Sequence, residues 1–186
     1  MLGRDPTNKW SLSNLVVALV ETERAAEAEE HAAEFLRLYP DNEQAYVRLA
    51  ESFRAQGETA RAEEVLQRGL AAVPDAARLT YLSLVNRFEL DADAVCGERV
   101  RPAVAAHPTS GLIRVMQARC EARAGNPEAA LGTLREAVRR GFANPQRLRE
   151  NEEFAEVVAL AGFDELVEPA GDQAAEQPSD APGSPP

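Results

Sequence analysis

The sequence predicts an all-α chain of stacked antiparallel helix pairs, and three observations predict it. Pro40, Pro74 and Pro108 recur 34 residues apart, each closing one stretch of helical periodicity and opening the next. Between them apolar residues fall at i, i+3, i+4 and i+7, as at Tyr46, Leu49, Ala50 and Phe53, which marks one face of a helix and not the alternation of a strand. The chain of 186 residues is 45% apolar and 5% aromatic, which suits one globular body with material left over. Its longest apolar run, Leu15 to Val20, is far short of the about 20 residues a membrane-spanning helix needs. That run leads into Glu21, Glu23 and Arg24 with no small-residue cleavage site, so no secretory signal is expected.

After a short extension at 1–8, the first unit spans 9–42, with Leu12, Leu15, Val16 and Leu19 on one helix and Ala28, Ala32 and Phe35 on the next. The second, 43–76, is the clearest. Its first helix carries Tyr46, Leu49, Ala50 and Phe53, Gly57 sits at the turn where a left-handed residue ends a helix cheaply, and Ala62, Leu66, Gly69 and Leu70 line the second helix. In the third unit, 77–110, the face Tyr81, Leu84, Val85 and Phe88 comes one residue late, which a deletion in the turn around Asp91 explains. Gly97 and Pro102 fall inside its second helix and predict a kink or break, because proline removes a helical hydrogen bond and crowds the preceding turn. The fourth unit, 111–144, has Asn126 as N-cap and Pro127 as first helical residue, followed by Ala130, Leu134 and Ala137. Its first helix puts Arg114, Gln117 and Glu121 at expected core positions, leaving its register open. Residues 145–167 then offer Leu148, Phe154, Val157, Val158, Leu160, Phe163 and Leu166 as helical cover for the last unit's open face. The remainder, 168–186, holds proline and acidic residues without aromatic or branched aliphatic side chains, so a disordered acidic tail is expected.

The second unit resembles a tetratricopeptide repeat (TPR), whose pattern of large, Leu, small and aromatic residues on the first helix and small, large, small and Pro on the second is met by Tyr46, Leu49, Ala50, Phe53, Ala62, Leu66, Gly69 and Pro74. The resemblance runs over roughly 9–167, as about four repeats and a cap. It implies a right-handed α-α superhelix whose first helices line a concave groove that binds a peptide or helix of another protein. Carried over, the groove-facing positions are Trp10, Ser13, Val17, Val20 and Glu21 in the first repeat and Gln44, Val47, Glu51, Arg54 and Ala55 in the second. With the shifted register the third gives Leu79, Leu82, Asn86, Glu89 and Leu90. An apolar floor with few fixed charges is expected. The family's carboxylate clamp for chaperone C-termini needs a basic residue and an Asn where this chain has Ser13 and Val17, so a clamp of that type is not expected.

No constellation suggests an enzyme. His31 and His107 are far apart in sequence without motif neighbours, and Gly57 and Gly125 are isolated turn glycines rather than a phosphate loop. Cys96 and Cys120 fall on helices that would be neighbours. Burial as small apolar residues is the ordinary expectation, with a redox pair and a shared metal as alternatives, the metal weaker because two cysteines supply half a structural zinc's ligands. No cofactor and no metal are expected.

The net charge of −11 is uneven: residues 1–149 hold all 20 basic residues against 21 acidic ones, and 150–186 hold ten acidic residues and no basic one. Arg135, Arg139, Arg140, Arg147 and Arg149 lack interleaved aromatics and adjoin that acidic stretch, which argues against nucleic acid. Two cysteines do not make a disulfide framework, so a reducing, cytoplasmic compartment is the default, and an arginine-for-lysine bias favours a GC-rich bacterial source. The function expected is a scaffold or adaptor for another protein of unnamed identity. Two alternatives stand beside it: a homo-oligomeric structural protein associating through the all-round apolar first helix, and a small acidic secretion or assembly chaperone.

Overall fold

The computed structural model describes residues 8–167, and the expected tail at 168–186 lies outside the described residues. The described chain is helical, without strand. Four helix pairs follow one another: α1 (Lys9–Glu21) with α2 (Ala25–Leu38), α3 (Glu43–Ala55) with α4 (Thr59–Ala72), α5 (Ala77–Leu90) with an irregular second helix, and α8 (Gly111–Arg123) with α9 (Pro127–Arg139). That irregular helix comprises α6 (Ala92–Ala94), a π turn (Val95–Arg99) and α7 (Val100–Ala106).

The repeat is visible bond by bond. After the second helix of each of the first three pairs the chain turns with Asn42 N–H donating to Tyr39 O, Ala76 N–H to Val73 O, and Ser110 N–H to His107 O, beside Pro40, Pro74 and Pro108. Within three of the pairs the first helix ends on one motif, with the amides of Arg24, Glu58 and Asn126 returning to the carbonyls of Leu19, Phe53 and Glu121. The residue before each of those amides is left-handed: Glu23 (φ 59°), Gly57 (φ 75°) and Gly125 (φ 75°). Two are glycine, which adopts this conformation without steric cost, and one is not.

The third pair departs from this. A single residue, Asp91, joins its helices, and its carboxylate Oδ1 accepts from Ala94 N–H at 2.9 Å to cap the next helix. The shortened turn starts the second helix one residue early relative to α2 and α4, while its end at Ala106 stays in phase with Leu38 and Ala72. One extra residue in the same axial length is what a π turn accommodates, and Val100 N–H accordingly reaches back to Val95 O. Of the kink or break expected at Gly97 and Pro102, the break is not found, and the irregularity is this π turn. The helix continues, and Pro102, which has no N–H to give, sits just after the widened turn.

The fourth pair settles the open register. On α8 the buried residues are Gly111, Ile113, Val115, Met116 and Ala118, while Arg114, Gln117 and Glu121 form a hydrogen-bonded ladder along its outer side. The core face is one residue earlier than the repeat period places it. Gly111 is fixed by contact: a Cβ there would lie 2.6 Å from Ala137 O and 2.9 Å from Phe142 N.

Residues 145–167 fold as short turns rather than one amphipathic helix: 3-10 segments Pro145–Glu150 and Glu152–Phe154, then α10 (Ala155–Val158) and α11 (Asp164–Val167). Leu148, Phe154, Val157, Phe163 and Leu166 are buried with Leu131 and Leu134 of α9, covering its open side. The arginines nearby are tied down. Arg139 and Arg140 bond Glu136, Arg140 Nη1 donates to Pro108 O, Arg135 to Gly162 O, and Arg149 pairs with Asp164.

Candidate functional site

The first helices α1, α3, α5 and α8 contact one another in sequence, while the second helices stand outside them. Helices that touch on one side and splay on the other generate curvature, so the first helices line the concave face. An open cleft of 440 Å³ lies there, walled by Val16, Val17, Val20 and Glu21 of α1, Arg48, Glu51, Arg54 and Ala55 of α3, and Leu82 of α5. A second hollow of 320 Å³ adjoins it at the N-terminal end, with Lys9, Trp10, Ser13, Gln44, Arg48 and Arg78 among its walls.

Of the residues expected to face a ligand, the structure brings Val17, Val20, Glu51, Arg54 and Leu82 together in the cleft and Trp10, Ser13 and Gln44 around the hollow. Trp10 is 70% exposed. Ser13 is buried and its hydroxyl accepts from Arg48 Nε at 3.0 Å.

Three expected groove residues are placed elsewhere. Val47 and Leu79 are fully buried in the core of the first two pairs, with Leu79 filling the space left by the missing side chain of Gly69: a Cβ there would meet Leu79 Cδ1 at 2.8 Å. Asn86 is also fully buried, its amide donating to Thr59 O at 3.0 Å and to Glu63 Oε2 at 3.3 Å. The reason is that α5 is packed on two sides. Leu84 and Phe88 share a core with Val95, Val100, Ile113 and Met116, as the shifted register predicts, while Leu79, Ser83 and Asn86 meet α4. A pattern with one buried face per helix cannot anticipate the second.

The cleft carries more charge than expected, and it is paired. Glu51 holds Arg48 at 2.6 Å and Arg78 at 3.3 Å, and Arg54 reaches across to Glu89 at 2.5 Å. Arg48 and Arg78 were not expected on this face; each adjoins a core position in the sequence, and only their pairing with Glu51 reveals where they point. Further along, Arg119 lies 4.1 Å over the Phe88 ring and pairs with Glu153. Burial pushes the Tyr81 phenol above its ordinary pKa, against the opposing fields of Arg119, Arg54 and Arg147, so these groups share one electrostatic environment.

Outside the concave face, His107 Nε2 is hydrogen-bonded to Thr80 Oγ1 at 3.1 Å. The cysteines overturn the ordinary expectation: Cys96 and Cys120 form a disulfide, Cα to Cα 5.4 Å, and both remain half-buried. Their helices meet at the irregular π turn, which no periodicity in the sequence locates. Among the described residues no group of three or more His, Cys, Asp or Glu is placed to hold a metal, and no helix is long and apolar enough to cross a membrane.

A right-handed stack of helix pairs of this period, concave along its first helices, defines a class of repeat proteins that present a surface to other proteins. The tetratricopeptide repeat pattern matches residues 19–83 and again 98–145, together more than half of the chain, and the chain belongs to the tetratricopeptide repeat family. Solved structures agree at the level of fold. In a crystal structure of the APC/C hetero-tetramer Cut9–Hcn1, a matching chain shares 11% identity at a TM-score of 0.67, over 83% of this chain and 31% of that one, so this chain spans about a third of it. The MamA RS-1 ArsTM double mutant matches at 18% identity and a TM-score of 0.50, over 80% of each chain. YrrB, described as a TPR protein with an unusual peptide-binding site, matches at 14% identity and 0.50, over 83% of this chain and 84% of that one. No curated protein matches in sequence.

Proposed function

We propose that this protein is an interaction scaffold that holds an extended segment or helix of a partner protein in the concave cleft between α1, α3 and α5. The family and fold support protein–protein interaction in general. The observation that carries the finer reading is the cleft's division of labour. Val17, Val20, Ala55 and Leu82 present apolar surface, while Glu51, Arg48, Arg78, Arg54 and Glu89 are already paired along its length. A bound chain that buries an apolar side chain there displaces water from the floor without orphaning a charge, and its backbone can share the paired groups. Trp10, exposed at the cleft's end, supplies an aromatic surface of the kind enriched at binding hot spots.

One observation favours a second reading, association of two copies through the first helix. Leu15 is 39% exposed on α1, on a helix whose neighbouring face is already packed. An acidic secretion or assembly chaperone remains a variant of the first reading. The arginine bias supports a bacterial source, whereas a cytoplasmic location loses the support it drew from unpaired cysteines once they are paired.

The test is to pan a random peptide library against the protein and measure the enriched peptides on variants. Leu82→Glu with Val17→Glu should abolish their binding, and Arg68→Glu, on the outer face, should not. Peptides that bind all variants equally would refute the cleft, and sedimentation showing a dimer that Leu15→Glu converts to monomer would establish the second reading.

A further inference from the structure

The Cys96–Cys120 disulfide does not line the proposed ligand cleft and joins two repeats. Cys96 lies in the π turn of the third pair and Cys120 on α8, the first helix of the fourth. It crosses a joint that, among the described residues, seven buried apolar side chains of α5, the irregular helix and α8 close. The helix on one side of the bond is already weakened, since the π turn interrupts its regular ladder and Pro102 contributes no N–H.

The bond can also be reached. A cleft of 580 Å³ on the outer face is walled by Cys96, Cys120, Gly97, Arg101, Arg114 and Val104 among others. A Cβ built on Gly97 would meet nothing within 4 Å, so the space beside Cys96 is open. On the walls the guanidinium groups of Arg101 and Arg114 outnumber the one carboxylate, Glu121, and their field attracts an approaching thiolate and favours the thiolate that leaves.

We propose that Cys96–Cys120 is a reversible thiol–disulfide exchange site, reduced from the outer cleft by a dithiol, and that its reduction releases the joint between the third and fourth repeats. One thiolate of the dithiol attacks a cysteine sulfur, forming a mixed disulfide and expelling the other cysteine as thiolate. The dithiol's second sulfur, deprotonated, then attacks the mixed disulfide and frees the first cysteine. Two electrons and two protons pass to the cysteine pair, and the dithiol becomes a disulfide. The freed segment is residues 92–106, because the bond closes a loop across a sequence separation of 24 whose far side is anchored on α8.

The experiment uses the full chain and dithiothreitol as the probe. Air-oxidised folded protein should resist alkylation at both cysteines, and dithiothreitol should make both reactive without global unfolding. Hydrogen exchange followed by mass spectrometry should then show amides in 92–106 accelerating on the order of 100-fold, those in 43–72 unchanged, and reoxidation restoring protection. Arg101→Gln with Arg114→Gln should slow reduction severalfold. The double variant Cys96→Ala, Cys120→Ala should exchange like the reduced protein and ignore dithiothreitol; if it fails to fold, reduced wild-type protein provides the same measurement. Free cysteines in the air-oxidised protein, reduction only on global unfolding, or acceleration spread evenly over the chain would each overturn the proposal.

Discussion

The second and third helix pairs occupy the same 34-residue period and solve it differently. In the second pair three residues turn the chain, a left-handed Gly57 ends α3, and α4 begins in phase, so the two helices meet through Tyr46, Leu49, Phe53, Ala62 and Leu66. In the third the turn has shrunk to Asp91 and no left-handed residue is used; the surplus residue reappears as a π turn in the next helix. The period survives because neighbouring repeats hold both ends of the unit in place. The irregularity is confined to its middle, where a disulfide ties it to the next repeat. Repeat arrays are thus constrained at their boundaries more strictly than within each unit.

The largest expected effects lie in the regular pair. Phe53→Ala removes a buried ring that also carries Arg61 at 4.0 Å from its centroid and should cost about 3 to 5 kcal/mol by chemical denaturation. An equal loss from Val100→Ala, a smaller side chain beside the π turn, would erase the contrast between the two units.

Next is the disulfide. Opening it should destabilise the protein by about 3 kcal/mol on loop-closure grounds, a fall of roughly 6 to 12 °C in melting temperature for a body of this size. A calorimetric scan with and without dithiothreitol checks this, and an unchanged midpoint would show that the joint needs no staple.

Two glycines sharpen the comparison further. Gly69 in α4 sits against Leu79 and Tyr46, and Gly69→Ala should destabilise by about 1 to 3 kcal/mol through overpacking. Gly97 in the π turn faces open space, and Gly97→Ala should be neutral or stabilise by up to about 1 kcal/mol, since alanine restricts the unfolded chain. Urea midpoints of the two variants should therefore move apart.

The smallest effect concerns the first turn, where Glu23 holds the left-handed conformation that Gly57 and Gly125 hold in their units. Glu23→Gly should stabilise by up to about 1 kcal/mol, because a side chain with a Cβ is strained there. A loss of stability instead would mean that the glutamate side chain offsets the strain.

The lining of the concave cleft was legible in part. Val17, Val20, Glu51, Arg54 and Leu82 line the cleft where the repeat pattern puts them, because they lie on the side of their helices that no neighbouring helix covers, and that side follows from local periodicity. Val47, Leu79 and Asn86 do not, since they lie on a side of α3 or α5 that another helix covers, and which residues meet that neighbour depends on how closely Gly69 and Glu63 allow it to approach.

Sequence alone determined the helices, their turns and their period, because helix formation, capping and chain reversal depend on residues within a few positions of one another: prolines at 40, 74 and 108, glycines at 57 and 125, apolar residues four apart. Tertiary structure decided what depends on the relative placement of distant helices. It buried Leu79 against Gly69, turned Arg48 and Arg78 onto Glu51, moved the core face of α8 by one residue, and brought Cys96 to Cys120 across a joint where one residue too many had widened a helix.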